Sequence, residues 1–141
     1  MKPRINIVTL GVRDLSRSVR FYRDGLGWPM SRASVGDFAI FRLAGTALAL
    51  YPRKLLARDA RLKPSRGGFG GITLAHSVAK AGDVDLALKK ASAAGAKILK
   101  AARHADWGGR SGYFADPDGH AWEVAWNPHF KLSRAGHLRI P

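Results

Sequence analysis

The fold is decided by one stretch of twelve residues, Tyr113 to Val124, which reads YFADPDGHAWEV. It contains two strand-like runs on either side of Asp116-Pro117-Asp118-Gly119. Proline presets one dihedral angle of a turn and glycine accepts the other, so these four residues predict a tight turn. The stretch therefore predicts a β-hairpin with strands at 109–115 and 120–126, in which Phe114 lies opposite Ala121.

The elements that precede this hairpin complete a module of one strand, one helix and three strands. A strand is predicted at 71–78, a helix from Asp83 through Ala94, and a further strand at 97–101. Asp83 is expected to cap the helix, and Gly95 is expected to end it. The second module therefore covers residues 71–126.

The first half of the chain has the same order of elements. An Ile- and Val-rich strand is predicted at 4–12, and Asp14 is expected to cap a helix over residues 15–26. Three short strands follow, at 29–35, 38–43 and 46–51. A repeat of this size predicts two copies of one structural unit.

From this repeat we predict an α+β fold in one domain of residues 1–141. It consists of two βαβββ modules whose mixed sheets curl around a shared cavity, with the helices outside. A single module would leave one sheet face bare, and pairing two modules encloses that face as a ligand pocket. The predicted parts are module one at 4–51, a connection at 52–70, module two at 71–126 and a short, loosely held tail at 127–141.

The amino-acid composition and the charge exclude some kinds of chemistry and argue against some kinds of partner. The chain has 141 residues, 46% of them hydrophobic, no cysteine and a net charge of +14. Without cysteine, disulfides and thiolate chemistry are excluded. No signal peptide or membrane span is visible, so we expect a cytoplasmic protein with no membrane partner. The basic residues are spread along the chain, and no nucleic-acid-binding motif accompanies them, which argues against a nucleic acid as partner.

Two motifs of this chain resemble known signatures. Val8–Leu15 (VTLGVRDL), followed by Ser18 and Phe21-Tyr22, resembles the opening signature of vicinal oxygen chelate proteins, and Tyr113–Val124 resembles their closing signature. This superfamily contains the glyoxalases, the bleomycin resistance proteins and the extradiol dioxygenases. The resemblance implies the two-module fold and a frequent homodimer. It does not fix the function, since the superfamily has isomerases, lyases, dioxygenases, thiol transferases and antibiotic-sequestering members.

The resemblance also implies where a metal would bind. Metal-binding members take one ligand from the first and last strand of each module, and the matching positions here are Ile7, Ala49, Thr73 and Glu123. Because isoleucine and alanine side chains offer no donor atom, we expect no metal or other cofactor. His76 lies on a predicted cavity strand, but alternation from Thr73 directs it to the opposite face.

Alternation along the strands predicts the lining of the cavity. Ile40 is expected beside Ala47, and Phe38 beside Ala49, in the first module. Trp107 lies in a glycine-rich loop before the seventh strand, where it can form part of a lid. The predicted ligand pocket is mostly apolar and comprises Ile7, Thr9, Phe38, Ile40, Ala47, Ala49, Tyr51, Thr73, Ala75, Trp107, Phe114, Ala121 and Glu123.

Glu123 is the candidate catalytic residue, because it is the one acidic side chain in this predicted lining. It can act as a general base, or hold a ligand amine or hydroxyl, or form a salt bridge with an arginine. We expect a protein that binds a small neutral or anionic organic molecule without a metal. The alternative is a glyoxalase-like lyase or isomerase, or a dioxygenase, that depends on a metal or uses Glu123 as a general base.

Overall fold

The protein is described here by a computed structural model that covers residues 5–60 and 72–139. It contains two mixed β-sheets, of three and four strands, and three α-helices, which confirms the predicted α+β class. The chain divides into two compact units, at residues 70 and 71. None of the helices among the described residues is long and apolar enough to cross a membrane.

The first unit follows the predicted order of elements with one exception. It comprises β1 (Ile7–Val12), α1 (Leu15–Arg20), a π-helical turn (Phe21–Gly25), β2 (Ala39–Arg42), β3 (Ala47–Pro52) and α2 (Arg53–Asp59). Strand β3 lies in the centre of the sheet, parallel to β1 and antiparallel to β2. Asp14 caps α1 as predicted, since its carboxylate accepts a hydrogen bond of 2.9 Å from the backbone N–H of Arg17.

The exception is the strand predicted at 29–35, which does not form. Only isolated bridges occur there, between Met30 and Phe41 and between Val35 and Phe38. The serines compete with strand pairing, because the Ser34 hydroxyl accepts a hydrogen bond of 3.0 Å from the N–H of Ile40. That contact binds the segment to β2 as a loop.

The hairpin between β2 and β3 is shifted by two residues from the predicted pairing. Ile40 lies opposite Ala49 and not Ala47, because the turn closes with a 3.0 Å hydrogen bond from the N–H of Leu43 to the carbonyl of Thr46. Since side chains alternate with a period of two, this shift leaves every residue on the face that was predicted for it.

The second unit contains a four-stranded sheet in the order β4-β7-β6-β5. Its elements are β4 (Leu74–Ser77), α3 (Gly82–Ala93), β5 (Lys97–His104), β6 (Arg110–Ala115) and β7 (Ala121–Trp126). Asp83 does not cap α3, which begins one residue earlier and has no side-chain cap. Asp83 lies instead in the first turn of the helix, together with Asp85, where a carboxylate interacts favourably with the helix dipole.

Helix α3 covers one face of this sheet. A side chain at Gly112 would lie within 2.5 Å of Leu88 Cδ1, so the face of Gly112 is the face of the helix. Phe114, Trp122 and Val124 share that face by register and are buried. An ion pair joins the helix to β6, since Asp85 accepts two hydrogen bonds of 2.8 Å from Arg110.

The tail, predicted as a short and loosely held segment, contains regular structure over its described residues. It forms a small hairpin of β8 (Lys131–Leu132) and β9 (Leu138–Arg139). The turn is closed by two hydrogen bonds between Ser133 and His137, of 2.9 and 3.0 Å. Phe130, Leu132 and Leu138 of this segment line a pocket together with residues of β4 and β7.

Candidate functional site

Glu123 lies on the open face of the second sheet, the face turned away from α3. Its register neighbours are Ala75 on β4 and Tyr113 on β6, so these three side chains share one face. Tyr113 and Glu123 are directly paired across β6 and β7. Burial raises the pKa of Tyr113 above its usual range, and the negative charge of the neighbouring Glu123 raises it further. The phenol therefore keeps its proton and stays a donor.

A lysine completes a polar cluster beside this pair. Lys100 is half-buried, and irregular pairing of β5 brings it opposite Tyr113. Its Nζ donates a hydrogen bond of 3.1 Å to the buried Ser111 hydroxyl and lies 4.8 Å from the centre of the Tyr113 ring. We call Lys100, Ser111, Tyr113 and Glu123 the polar cluster.

Two pockets border the polar cluster. The apolar pocket has a volume of about 370 Å³ and extends from Glu123 to the tail hairpin. The polar pocket has a volume of about 530 Å³ and extends from Glu123 along β5. Glu123 and Trp107 line both, so the two pockets meet at these side chains. The other apolar-pocket residues are Ala75, Ser77, Val78, Ala125, Asn127, Phe130, Leu132 and Leu138; the other polar-pocket residues are Lys100, Arg103, His104, Ala105, Asp106, Ser111 and Tyr113.

The loop between β5 and β6 places Trp107 at this junction. Gly108 turns the chain with a φ of 85°, and hydrogen bonds of 2.9 and 3.0 Å between Ala105 and residues Gly108 and Gly109 close the loop. A side chain on Gly109 would overlap the Trp107 ring and the backbone carbonyl of Trp126. The indole therefore rests on the bare backbone of Gly109, with 44% of its surface exposed.

The structure divides the predicted lining between the two units. In the first unit, the predicted residues on β1, β2 and β3 share one sheet face, and the Phe38 ring lies 5.7 Å from that of Tyr51. These residues are Ile7, Thr9, Ile40, Ala47, Ala49 and Tyr51. Ala49 is fully buried there, whereas Ile7 is 51% exposed. A cavity shared by both units stays a prediction.

In the second unit, most of the predicted residues fall on the face of Glu123. Ala75, Ala121 and Glu123 share it, and Trp107 lines both pockets. Thr73 is exposed and precedes β4.

Phe114 was placed wrongly in the lining. It pairs with Trp122 and not with Ala121, because the turn closes at Ala115 and Ala121. The shift of one residue turns Phe114 to the helix face, where it is 4% exposed and stacks on Trp122 at 6.1 Å. The same shift brings Ser111 and Tyr113 to the open face, and neither had been predicted there.

The residues at the metal-ligand positions do not fit a metal. The side chains of Ile7 and Ala49 have no atom that can coordinate a metal. The register neighbours of Glu123 are an alanine and a tyrosine. Over residues 5–60 and 72–139, no three acidic, histidine or cysteine side chains are grouped as a metal site would require. His76 shares the helix face with Val124, as alternation predicted.

The salt bridge considered for Glu123 does not form within the described part of the chain, where no arginine pairs with it. Its register neighbour on β6 is the uncharged Tyr113. The carboxylate is therefore not neutralised by an arginine of the described residues, and it lines two pockets.

Residues 4–124 match the family model of the Glyoxalase/Bleomycin resistance protein/Dioxygenase superfamily. A glyoxalase-related enzyme from Fulvimarina pelagi has 32% sequence identity and a TM-score of 0.89, over 98% of each chain. A glyoxalase/bleomycin resistance protein/dioxygenase from Nocardioides has 27% identity and a TM-score of 0.74, covering 96% of this chain and 91% of that one. A lactoylglutathione lyase from Agrobacterium tumefaciens, with 24% identity, a TM-score of 0.68 and coverage of 89% and 95%, shares the fold.

Proposed function

Since the chain belongs to the glyoxalase/bleomycin resistance protein/dioxygenase superfamily, we propose that it binds a small neutral or anionic organic molecule without a metal. The observation that carries this proposal is the position of Glu123, which faces an apolar and a polar pocket at their junction. A pocket with mostly apolar walls and a few convergent polar groups is the usual form of a small-molecule site.

The side chains around Glu123 support binding of an organic body. Phe130, Leu132 and Leu138 of the tail form the apolar wall, opposite the open face of the sheet. Removing such apolar surface from water contributes about 25 cal/mol per Å² to binding before the costs of association. The Glu123 carboxylate then accepts a hydrogen bond from a hydroxyl or amine of the ligand.

The proposal is tested by filling the apolar pocket. Ala75 is exposed on the edge strand β4 and borders Glu123, so Ala75→Phe fills the pocket without disturbing the core. Ala101→Phe is the matched control, since Ala101 is also exposed on an edge strand and lines neither pocket at Glu123. A thermal-shift screen of small aliphatic and aromatic acids and alcohols should give stabilising hits that Ala75→Phe loses and Ala101→Phe keeps. Equal loss in both variants, or no hit at all, contradicts the proposal.

The expected lack of a metal has its own measurement. Elemental analysis of the purified protein should find no stoichiometric iron, zinc, nickel or manganese. Calorimetric titration of the protein with these ions should show no binding that depends on Glu123, so the protein and Glu123→Gln should give the same heats. A tightly bound ion that is lost in Glu123→Gln would refute the metal-free proposal and favour a metal-dependent enzyme.

A second candidate is a lyase, isomerase or dioxygenase of this superfamily that uses Glu123 as a general base. The position of Glu123 favours it, because the neighbouring Tyr113 is uncharged and no cation of the described residues forms an ion pair with the carboxylate. In that case Glu123→Gln abolishes turnover of a substrate found in the screen and leaves its affinity within a few-fold. For a binding protein, no turnover accompanies binding. The homodimer implied by the family stays a prediction, which light scattering after size exclusion tests.

A further inference from the structure

We propose that the polar pocket is a carboxylate subsite, so that the ligand is a small organic acid with its apolar body in the apolar pocket. Lys100 and Arg103 would bind the carboxylate, and the rest of the molecule would pass Glu123 and Trp107. This inference rests on the proposed function and specifies its ligand. It follows from the charges of the polar pocket and from its junction with the apolar one.

The cations of this pocket have no acidic partner within the described residues. Lys100 Nζ contacts a serine hydroxyl and the face of the Tyr113 ring, and Arg103 forms no ion pair. A half-buried ammonium has lost part of its hydration, and neutral contacts replace it incompletely. An incoming anion gains a charge-assisted hydrogen bond from a donor that is already held in position.

The geometry of the cluster fixes where that donor lies. Ser111 is buried on β6, and its hydroxyl accepts the hydrogen bond that holds Nζ over the open face of the sheet. An ammonium has three N–H donors, so one bond to Ser111 leaves others for a ligand. Arg103 lies opposite Ser111 on the same edge strand and lines the same pocket, which gives a second donor beside the first.

The acidic residues of the pocket favour a carboxylate over a phosphate. Asp106 and Glu123 line the same pocket as the two cations. A phosphate monoester carries a charge of about −1.5 to −2 at neutral pH, so these carboxylates repel it more strongly than a monoanion. Since the two carboxylates already offset the charge of the two cations, a ligand with a single negative charge is repelled less than a dianion.

The junction of the pockets requires an amphiphilic ligand. Both are lined by Glu123 and Trp107, and the apolar pocket continues to Phe130 and Leu138. A molecule anchored at Lys100 therefore extends its body past Glu123 to these apolar side chains. A fully polar acid would leave the apolar side chains of this pocket in contact with water, so their burial would not contribute to the binding free energy.

The test uses the full chain with three probes of the same carbon skeleton: 4-phenylbutyrate, 4-phenylbutanol and 4-phenylbutyl phosphate. Isothermal titration calorimetry compares their affinities for the protein and for Lys100→Met, which keeps an unbranched side chain one atom shorter and removes its charge. Lys97→Met is the matched control, since Lys97 begins the same strand and lines neither pocket. We expect phenylbutyrate to bind tightest and to lose at least about tenfold in Lys100→Met but not in Lys97→Met.

The neutral probe separates the two proposals. Phenylbutanol should bind Lys100→Met as it binds the unaltered protein, which also shows that the variant is folded with its apolar pocket intact. If the alcohol binds as tightly as the acid, or if Lys97→Met weakens the acid equally, the carboxylate subsite is refuted and the apolar pocket stands. Tightest binding of the phosphate refutes the choice of a carboxylate. Binding of none of the probes at millimolar concentration refutes the proposed function itself.

Discussion

Phe114 and Tyr113 are adjacent in sequence, and the structure assigns them opposite roles that mutation can separate. Phe114 is 4% exposed between the sheet and α3 and stacks on Trp122, whereas Tyr113 is half-buried on the open face. Phe114→Ala therefore removes a core aromatic, which costs about 3–5 kcal/mol. That is a large share of the roughly 5–15 kcal/mol by which a domain is stable. Tyr113→Ala removes a side chain buried only in part and should cost about 1–2 kcal/mol.

Urea denaturation at neutral pH measures both changes. A thermal melt gives a second measure: for a chain of 141 residues, Phe114→Ala should lower the melting temperature by roughly 10–20 °C, and Tyr113→Ala by less than half of that. Ligand affinity should respond in the opposite order, because Tyr113 lines the polar pocket and Phe114 lines neither pocket at Glu123. A small effect of Phe114→Ala on stability, with a large loss of binding, would refute the observed register and restore the pairing of Phe114 with Ala121.

Three further changes follow from the contacts of the second unit. Gly109→Ala should displace the Trp107 indole and cost about 1–3 kcal/mol of stability, with a shift in tryptophan fluorescence, because its side chain would overlap the ring and a backbone carbonyl. Tyr113→Phe should flatten the loss of stability above about pH 10: the raised pKa lets the folded protein keep a proton that the unfolded chain releases, so stability falls as pH rises. Asp85→Asn should lower stability at pH 7, and this deficit should shrink as pH falls below about 4, since the hydrogen bond from Arg110 lowers the pKa of Asp85 and its contribution is lost as pH falls.

Each of these changes has a control or a contrary outcome. Gly108→Ala introduces strain at a positive φ, but nothing lies within 4 Å of the added atom, so it should not move Trp107. Equal fluorescence shifts in both glycine variants would contradict the role of Gly109. Parallel stability curves of Tyr113→Phe and the unaltered protein in urea from pH 9 to 11 would show that Tyr113 is not perturbed. A deficit of Asp85→Asn that persists in acid would show that its cause is not the ion pair.

The sequence predicted the fold because the apolar runs and turn residues specify it locally. Asp14 caps α1, glycine ends α3, and both hairpins occur where Gly45 and Gly119 predicted turns. The segment at 29–35 was predicted wrongly, since strand propensity does not reveal that the Ser34 hydroxyl bonds to Ile40. The tail hairpin was missed because its strands are only two residues long.

The site was predicted in part, and the parity of the register explains which part. In the first hairpin the error was two residues, so Ile40 kept its face. In the second it was one residue, so Phe114 was exchanged for Tyr113. If the predicted register of this hairpin had been shifted by one residue, the sequence alone would have paired Tyr113 with Glu123. Lys100 was beyond such reasoning, because the irregular pairing of β5 leaves no regular alternation to follow.

The irregularity of β5 has a consequence for how copies of this protein meet. This strand ends the second sheet, and an edge with unpaired N–H and carbonyl groups invites the strand of another molecule. The pairing of β5 with β6 is interrupted twice, so the edge of β5 does not offer evenly spaced hydrogen-bonding groups. The edge strand also contains three cations, Lys97, Lys100 and Arg103. Both features disfavour pairing with a strand of another molecule. We therefore expect the distortion that places Lys100 opposite Tyr113 to disfavour sheet-to-sheet polymerisation along this edge as well.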